Sequence, residues 1–208
     1  MGKEEYRRRL LVFFSEKLDV DKNGYISWAD YELLALRTTF QQNFGNYDQE
    51  IHKKYLQHSR QMWESLCTDL GVDKDDNVHF FHLIDFMYSS TNKTKKFEEL
   101  PDFLQNLCVE VFRMIDRKGD NLWDRDEYRF GSVIWCYITN LKDIDNAFDS
   151  MLNAEDKIGG GISLDRYKEL VVEFFTSMDG ETPSRNIFGP LDPKRADDVL
   201  AKASPLRL

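Results

Sequence analysis

The sequence predicts an all-α fold assembled from repeated helix-loop-helix units. Three observations carry that expectation: apolar residues recur at helical spacing along most of the chain, the helical stretches come in pairs joined by short acidic loops, and the rhythm returns four times. Strand-like alternation is confined to segments such as Tyr25-Ile26-Ser27, where two adjacent loops can pair through one or two backbone hydrogen bonds. The 208 residues, 41% hydrophobic and 13% aromatic, suffice for one large or two small cores.

The first unit enters on Tyr6 to Leu18. Leu10, Leu11, Phe13, Phe14 and Leu18 share one face, and Arg7, Arg8, Arg9 and Lys17 occupy the other. It leaves on Tyr31, Leu33, Leu34, Ala35 and Leu36, until polar residues break the pattern between Gln41 and Asp48. The later units pair His52–Leu70 with Val78–Tyr88, Phe103–Ile115 with Trp123–Ile138, and Ile144–Leu152 with Ile162–Phe175. A unit that cannot bury its apolar face alone stacks on copies of itself, so the units are expected in two paired lobes. The polar stretch Thr91–Lys96 divides a first pair over residues 1–90 from a second over 97–178, with a tail over 179–208.

Twenty-eight Lys and Arg against 37 Asp and Glu give a charge of -9, and the acidic groups bunch in short segments. That pattern argues against a nucleic-acid surface and for cation binding. No apolar run approaches the roughly 18 residues of a membrane helix, and no amino-terminal signal pattern is present, so a cytosolic monomer without membrane insertion is expected. Tyr6 stands where a myristoylation signal wants Ser or Thr, and Asn92-Lys93-Thr94 matches a glycosylation pattern that means little without a secretory signal. Cys67, Cys108 and Cys136 sit singly in apolar helical contexts, as reduced core thiols do.

A calcium loop of about twelve residues sets side-chain oxygens at positions one, three and five, a carbonyl at seven, often a water at nine and a carboxylate at twelve. Glycine at six allows a sharp turn, and a branched apolar residue at eight anchors the loop. Residues 19–30, DVDKNGYISWAD, meet every requirement: Asp19, Asp21, Asn23, the Tyr25 carbonyl, Ser27 and Asp30 as ligands, Gly24 as the turn and Ile26 as anchor. Asp30 is one methylene shorter than glutamate, which favours a smaller shell, so Mg²⁺ is expected to compete with Ca²⁺ there. Residues 116–127, DRKGDNLWDRDE, offer Asp116, Asp120, the Leu122 carbonyl, Asp124 and Glu127, with Asn121 at the turn and Trp123 as anchor. Lys118 falls at position three, where an ammonium cannot ligate a cation; a water must substitute, or Lys118 must turn outward.

Residues 71–82 begin on Gly71 and end on His82, although Asp73 and Asp75 remain, and residues 155–166 carry Lys157 at three, Gly159 at five and Arg166 at twelve. Both are expected to stay empty and to brace a working neighbour. His79 and His82, three apart, fit a shared helix face without further zinc ligands nearby in sequence. Gly159-Gly160-Gly161 lacks the lysine of a phosphate loop and reads as a flexible degenerate loop. No nucleophile motif or paired-carboxylate constellation is evident, so no enzyme is expected. Trp28, Trp63, Trp123 and Trp135 suit either a packed core or a cavity for an apolar ligand.

With loops and tail together, the chain resembles the invertebrate sarcoplasmic calcium-binding proteins, and within that family its calexcitin branch. The resemblance covers roughly residues 6 to 193. It rests on the first loop running into DYELLALR, on FRMIDRKGDNLWDRDEY, and on VEFFTSMDGETPSRNIFGPL with its closing Asn186-Ile187-Phe188-Gly189-Pro190-Leu191. It implies four EF-hand units in two compact lobes with the tail packed in the apolar cleft, and a cytosolic calcium buffer or a calcium-dependent signal with a protein target. The alternative from another class is an EF-hand carrier of a luciferin-like ligand or an oxidative photoprotein. Beyond Pro193, KRADDVLAKASPLRL reads as a short surface helix or a disordered tail.

Overall fold

The structure is a computed structural model and describes residues 2–191 and Asp197; apart from Asp197, the expectation for residues 194–208 lies outside the described residues. The first unit is α1 (Gly2–Lys17), strand β1 (Tyr25–Ile26) and α2 (Trp28–Gln42), and the second is α3 (Gln49–Leu70), β2 (Val78–His79) and α4 (Phe80–Thr91). The third is α5 (Asp102–Ile115), β3 (Leu122–Trp123) and α6 (Arg125–Cys136), and the fourth is α7 (Leu141–Met151), α8 (Ala154–Gly159), β4 (Ile162–Ser163) and α9 (Leu164–Thr176). Short 3₁₀ turns at Phe97–Glu99 and Pro183–Asn186 follow α4 and α9.

Local chemistry sets these boundaries. Asp48 accepts the Ile51 amide at 2.9 Å to start α3, and Gly71, at φ 67°, ends it in the left-handed conformation. The anticipated contact between loops is present twice. β1 pairs antiparallel with β2 through Tyr25↔His79 and Ile26↔Val78, and β3 with β4 through Leu122↔Ser163 and Trp123↔Ile162. The four anchor residues, Ile26, Val78, Trp123 and Ile162, are all buried, so each two-residue ladder is pinned by the core beneath it.

The core runs without a break from α1 to the tail. Phe112 stacks on Trp123 at 5.1 Å between centroids, with Tyr167 4.7 Å from the same indole. The tail then closes the centre. Phe188 lies 4.5 Å from Phe13 and 5.0 Å from Phe174, Ile187 is buried, and the Tyr128 hydroxyl donates to the Asn186 carbonyl at 2.5 Å. Gly189 (φ 104°) passes so near Cys136 that an added Cβ would come within 2.5 Å of its sulfur. The three cysteines are buried, and no disulfide joins them.

Three expectations are corrected. Arg9 is not on a polar face: it is 1% exposed and donates to the carbonyls of Ser177 at 2.6 Å and Asp179 at 3.3 Å, because the chain leaving α9 has orphan carbonyls to satisfy. Gly159-Gly160-Gly161 is not a slack loop. Gly159 ends α8, Gly160 (φ 86°) caps it, and a Cβ on Gly161 would fall 2.2 Å from the Trp123 carbonyl. His79 and His82 share no helix face, since His79 lies in β2 and caps α4 by accepting the Phe81 amide, while His82 is exposed on α4.

Candidate metal centres

The first loop is shaped by two left-handed residues, Lys22 (φ 62°) and Gly24 (φ 91°), and the third repeats this with Gly119 (φ 69°) and Asn121 (φ 61°). Both turns thus fall at positions four and six, where they roll the backbone amides inward. In the first loop Asp19 receives two of those amides, Asn23 on Oδ1 and Gly24 on Oδ2, each at 3.1 Å. Asp30, at the third residue of α2, accepts Val20 N at 2.8 Å and Asp21 N at 3.2 Å on one oxygen, and Ser27 N and Oγ at 2.9 and 3.0 Å on the other. Its charge sits where the helix dipole favours an anion.

These bonds bring one oxygen each of Asp19, Asp21 and Asp30 within 4.8 Å of one another. Asp30 is wholly buried and Asp19 is 3% exposed, yet among the described residues neither forms an ion pair with lysine or arginine. Like charges at that separation repel by roughly 3–4 kcal/mol per pair at an effective dielectric of about 20. A divalent cation is the group that such a donor set fits. The Asn23 amide oxygen accepts Tyr25 N at 2.8 Å and its nitrogen donates to Asp21 at 2.8 Å, while Tyr25 opens β1 beside the cluster.

Burial pushes the Asp19 carboxyl up to about 6, against the Gly24 amide that favours its charge, and Asp30 adds to the push. A carboxyl raised by folding gives stability that is complete below the ordinary aspartate range and is lost as pH rises through about 6. A bound cation reverses that loss. The melting-temperature gain on adding calcium is therefore expected to grow from about pH 4 to about pH 6 and then level off; a gain independent of pH would contradict the role of Asp19.

In the third loop Asp116 accepts Gly119 N at 2.8 Å and Asp120 N at 3.2 Å on Oδ1, and Asn121 N at 3.0 Å on Oδ2. Glu127 accepts Lys118 N at 3.0 Å and Asp124 N at 3.2 Å. Asp116, Asp120 and Glu127 again hold one oxygen each within 4.8 Å of one another, and Leu122 opens β3 beside them. Asp124 stands apart from the cluster. Its Oδ1 caps α6 by accepting Asp126 N and Glu127 N, both at 2.9 Å, and its Oδ2 is ion-paired to the Lys118 ammonium. Lys118 thus neither ligates nor points away; it crosses the loop to the ninth position, and that hydrogen bond raises its own pKa.

The other two loops supply their own chemistry. In residues 71–82 Asp76 accepts the Asp73 amide at 2.9 Å, and Lys74 pairs with Glu64 at 2.7 Å. In residues 155–166 the first half is wound into α8, and Arg166 at the closing position pairs with Asp156, 6% exposed, at 3.4 Å. Sequence reading missed α8. The spacing Asn153-x-x-Asp156, which forms a capping box in the structure, was the available signal.

No protein-family model matches the chain. It is 30% identical over 175 residues to a sarcoplasmic calcium-binding protein of Scylla paramamosain, covering 83% of this chain and 89% of that one. Its fold is similar to that of a sarcoplasmic calcium-binding protein from amphioxus, with a TM-score of 0.73, 22% identity and 90% and 98% of the two chains covered. It is also similar to the coelenterazine-binding protein of Renilla muelleri in its calcium-loaded apo form, with a TM-score of 0.60, 21% identity and coverage of 92% and 99%.

Proposed function

Because this chain belongs to the sarcoplasmic calcium-binding protein family, we propose that it takes up Ca²⁺ at its first and third EF-hand loops and acts as a cytosolic monomeric buffer. The observation that carries this reading is the contrast among the loops. Where the fourth loop supplies Arg166 to its carboxylate, the clusters at Asp19, Asp21 and Asp30 and at Asp116, Asp120 and Glu127 are left with converging negative charge. Asp19, Asp21, Asn23, the Tyr25 carbonyl, Ser27 and Asp30 hold one ion, and Asp116, Asp120, the Leu122 carbonyl and Glu127 hold the other. Asp124 joins the third-loop ligands only when Lys118 releases it. The cation supplies the positive charge that removes carboxylate repulsion and fixes each pair of flanking helices.

The seated tail favours a buffer over a calexcitin-type signal with a protein target, which would have to unseat Phe188 to expose an apolar groove. The cavity beneath the tail, lined by Leu107, Val111, Trp135 and Phe188, is about 40 Å³. A luciferin-like ligand needs several hundred cubic ångströms, which weighs against the carrier reading. No helix among the described residues is long and apolar enough to cross a membrane.

Calorimetric titration of chelator-treated protein tests the proposal, with two calcium sites expected and none overturning it. Run with about 1 mM Mg²⁺, the same titration should show competition at the first loop, closed by the short Asp30. Lys118→Asp removes an ammonium from the third loop and returns an oxygen to its third position. It is expected to tighten that site by about tenfold or more, roughly 1.4 kcal/mol; an unchanged affinity would mean that Lys118 does not oppose the ion.

A further inference from the structure

One pair of reactive side chains lies outside both cation clusters. Lys17, the last residue of α1, donates its ammonium to the Cys136 sulfur at 2.8 Å and to the Trp135 carbonyl at 3.3 Å, and Cys136 is the last residue of α6. The thiol in turn donates to the Phe188 carbonyl of the tail at 3.1 Å. A nucleophilic sulfur and a primary amine are thus held in contact where the first unit, the third unit and the tail meet.

The surroundings give that pair a reaction. Both residues line the small cavity beneath the tail, with Trp135, Phe188 and Gly189, and its volume of about 40 Å³ admits a molecule of the size of water or hydrogen peroxide. Cys136 is 4% exposed, so larger thiol reagents and other proteins are kept from it. Arg37 donates to the Trp135 carbonyl at 3.4 Å, near enough to the sulfur for the two groups to interact. Cysteines flanked by cations are those that react with peroxide, as thiolates. Cys67 bonds to the Asp73 carbonyl in the second unit and Cys108 is wholly buried in α5, which leaves the Lys17 amine as the nucleophile at hand.

We propose that hydrogen peroxide converts the Lys17–Cys136 contact into a reversible covalent crosslink, a sulfenamide. Peroxide first gives one oxygen to the sulfur: the O–O bond breaks, an S–O bond forms, the other oxygen leaves as water, and the sulfur is oxidised by two electrons to a sulfenic acid. The Lys17 amine, its extra proton released to solvent, then attacks that sulfur. An S–N bond forms, the S–O bond breaks, and the hydroxyl leaves with an amine proton as a second water. Two thiols of a reductant reverse the step, becoming a disulfide while the Cys136 thiol and the Lys17 amine are restored. Because Lys17 ends α1 just before Asp19, the crosslink ties the entry of the first cation loop to the helix that carries Glu127, across 119 positions of sequence.

The test treats the full chain with a small excess of hydrogen peroxide and maps the product by tandem mass spectrometry. The expected product is lighter than the parent by two hydrogen atoms, resists trypsin after Lys17, joins the Lys17 and Cys136 peptides, and reverts with dithiothreitol. Closing a loop of that length should raise the melting temperature by roughly 5–15 °C. Lys17→Arg keeps the positive charge but offers no amine, so oxidation of Cys136 should end in sulfenic and sulfinic acid instead. Cys136→Ser should abolish the crosslink, and Cys67→Ser should leave it intact. The proposal is overturned if peroxide leaves Cys136 unmodified in the parent, or oxidises it past the sulfenic acid without joining Lys17. A disulfide in place of the crosslink, or a crosslink that survives in Lys17→Arg, would overturn it equally.

Discussion

Asp19→Ala is expected to remove one calcium site outright, so that calorimetric titration falls from two sites to one while the third-loop site keeps its affinity. Asp19 is the leading carboxylate of its loop, 3% exposed, and shares a buried space with Asp30. Its loss takes a ligand and also strands the Asn23 and Gly24 amides that it accepts at 3.1 Å. Those two effects are separable. Asp19→Asn removes the charge but keeps an acceptor for only one of the two amides, so a site weakened by about 100-fold or more while amide exchange shows the loop intact would show that the loss is not one of loop structure. Two unchanged sites in Asp19→Ala would place the ion elsewhere.

Phe188→Ala is expected to cost about 2–4 kcal/mol and to turn the protein into a binder of apolar dye. The ring sits between α1 and α9, 4.5 Å from Phe13 and 5.0 Å from Phe174, and borders the small cavity beside Trp135. Truncation would enlarge that cavity and free the Ile187 side chain beside it. For a chain of 208 residues the cost corresponds to a fall of roughly 5–15 °C in melting temperature. Dye uptake by the variant with and without calcium, set against none in the parent, would identify Phe188 as the plug. A variant as stable and as dye-free as the parent would show that the tail is only laid on the surface.

Most of this arrangement is written in local spacing. The helices follow from apolar residues at three- and four-residue intervals, and the loop frames from Ile26, Val78, Trp123 and Ile162, each of which is buried in a ladder. The left-handed turns at Gly24 and Asn121 follow from residues that tolerate them. What escaped the sequence depends on contacts between distant segments. Arg9 reads as one of three surface arginines, and only the carbonyls of Ser177 and Asp179, some 170 residues away, make it a buried residue. Lys118 marks the third loop as abnormal, but nothing local says that its ammonium reaches Asp124 rather than solvent. The left-handed Phe44 and Tyr137 are invisible to pattern, because neither residue type announces that backbone.

The placement of Phe188 also bears on how the chain reaches this state. Phe188, which joins the first helix to α9 in the core, is made more than 170 residues after Phe13, so Phe13 and its neighbours on α1 must wait for that much synthesis before this part of their native cover arrives. Contacts of such sequence separation form slowly, and apolar surface left open in the interval invites association with other nascent chains. Folding is thus expected to be limited by closure of this last contact, and a chaperone that shelters α1 on the ribosome would act on the step that decides yield.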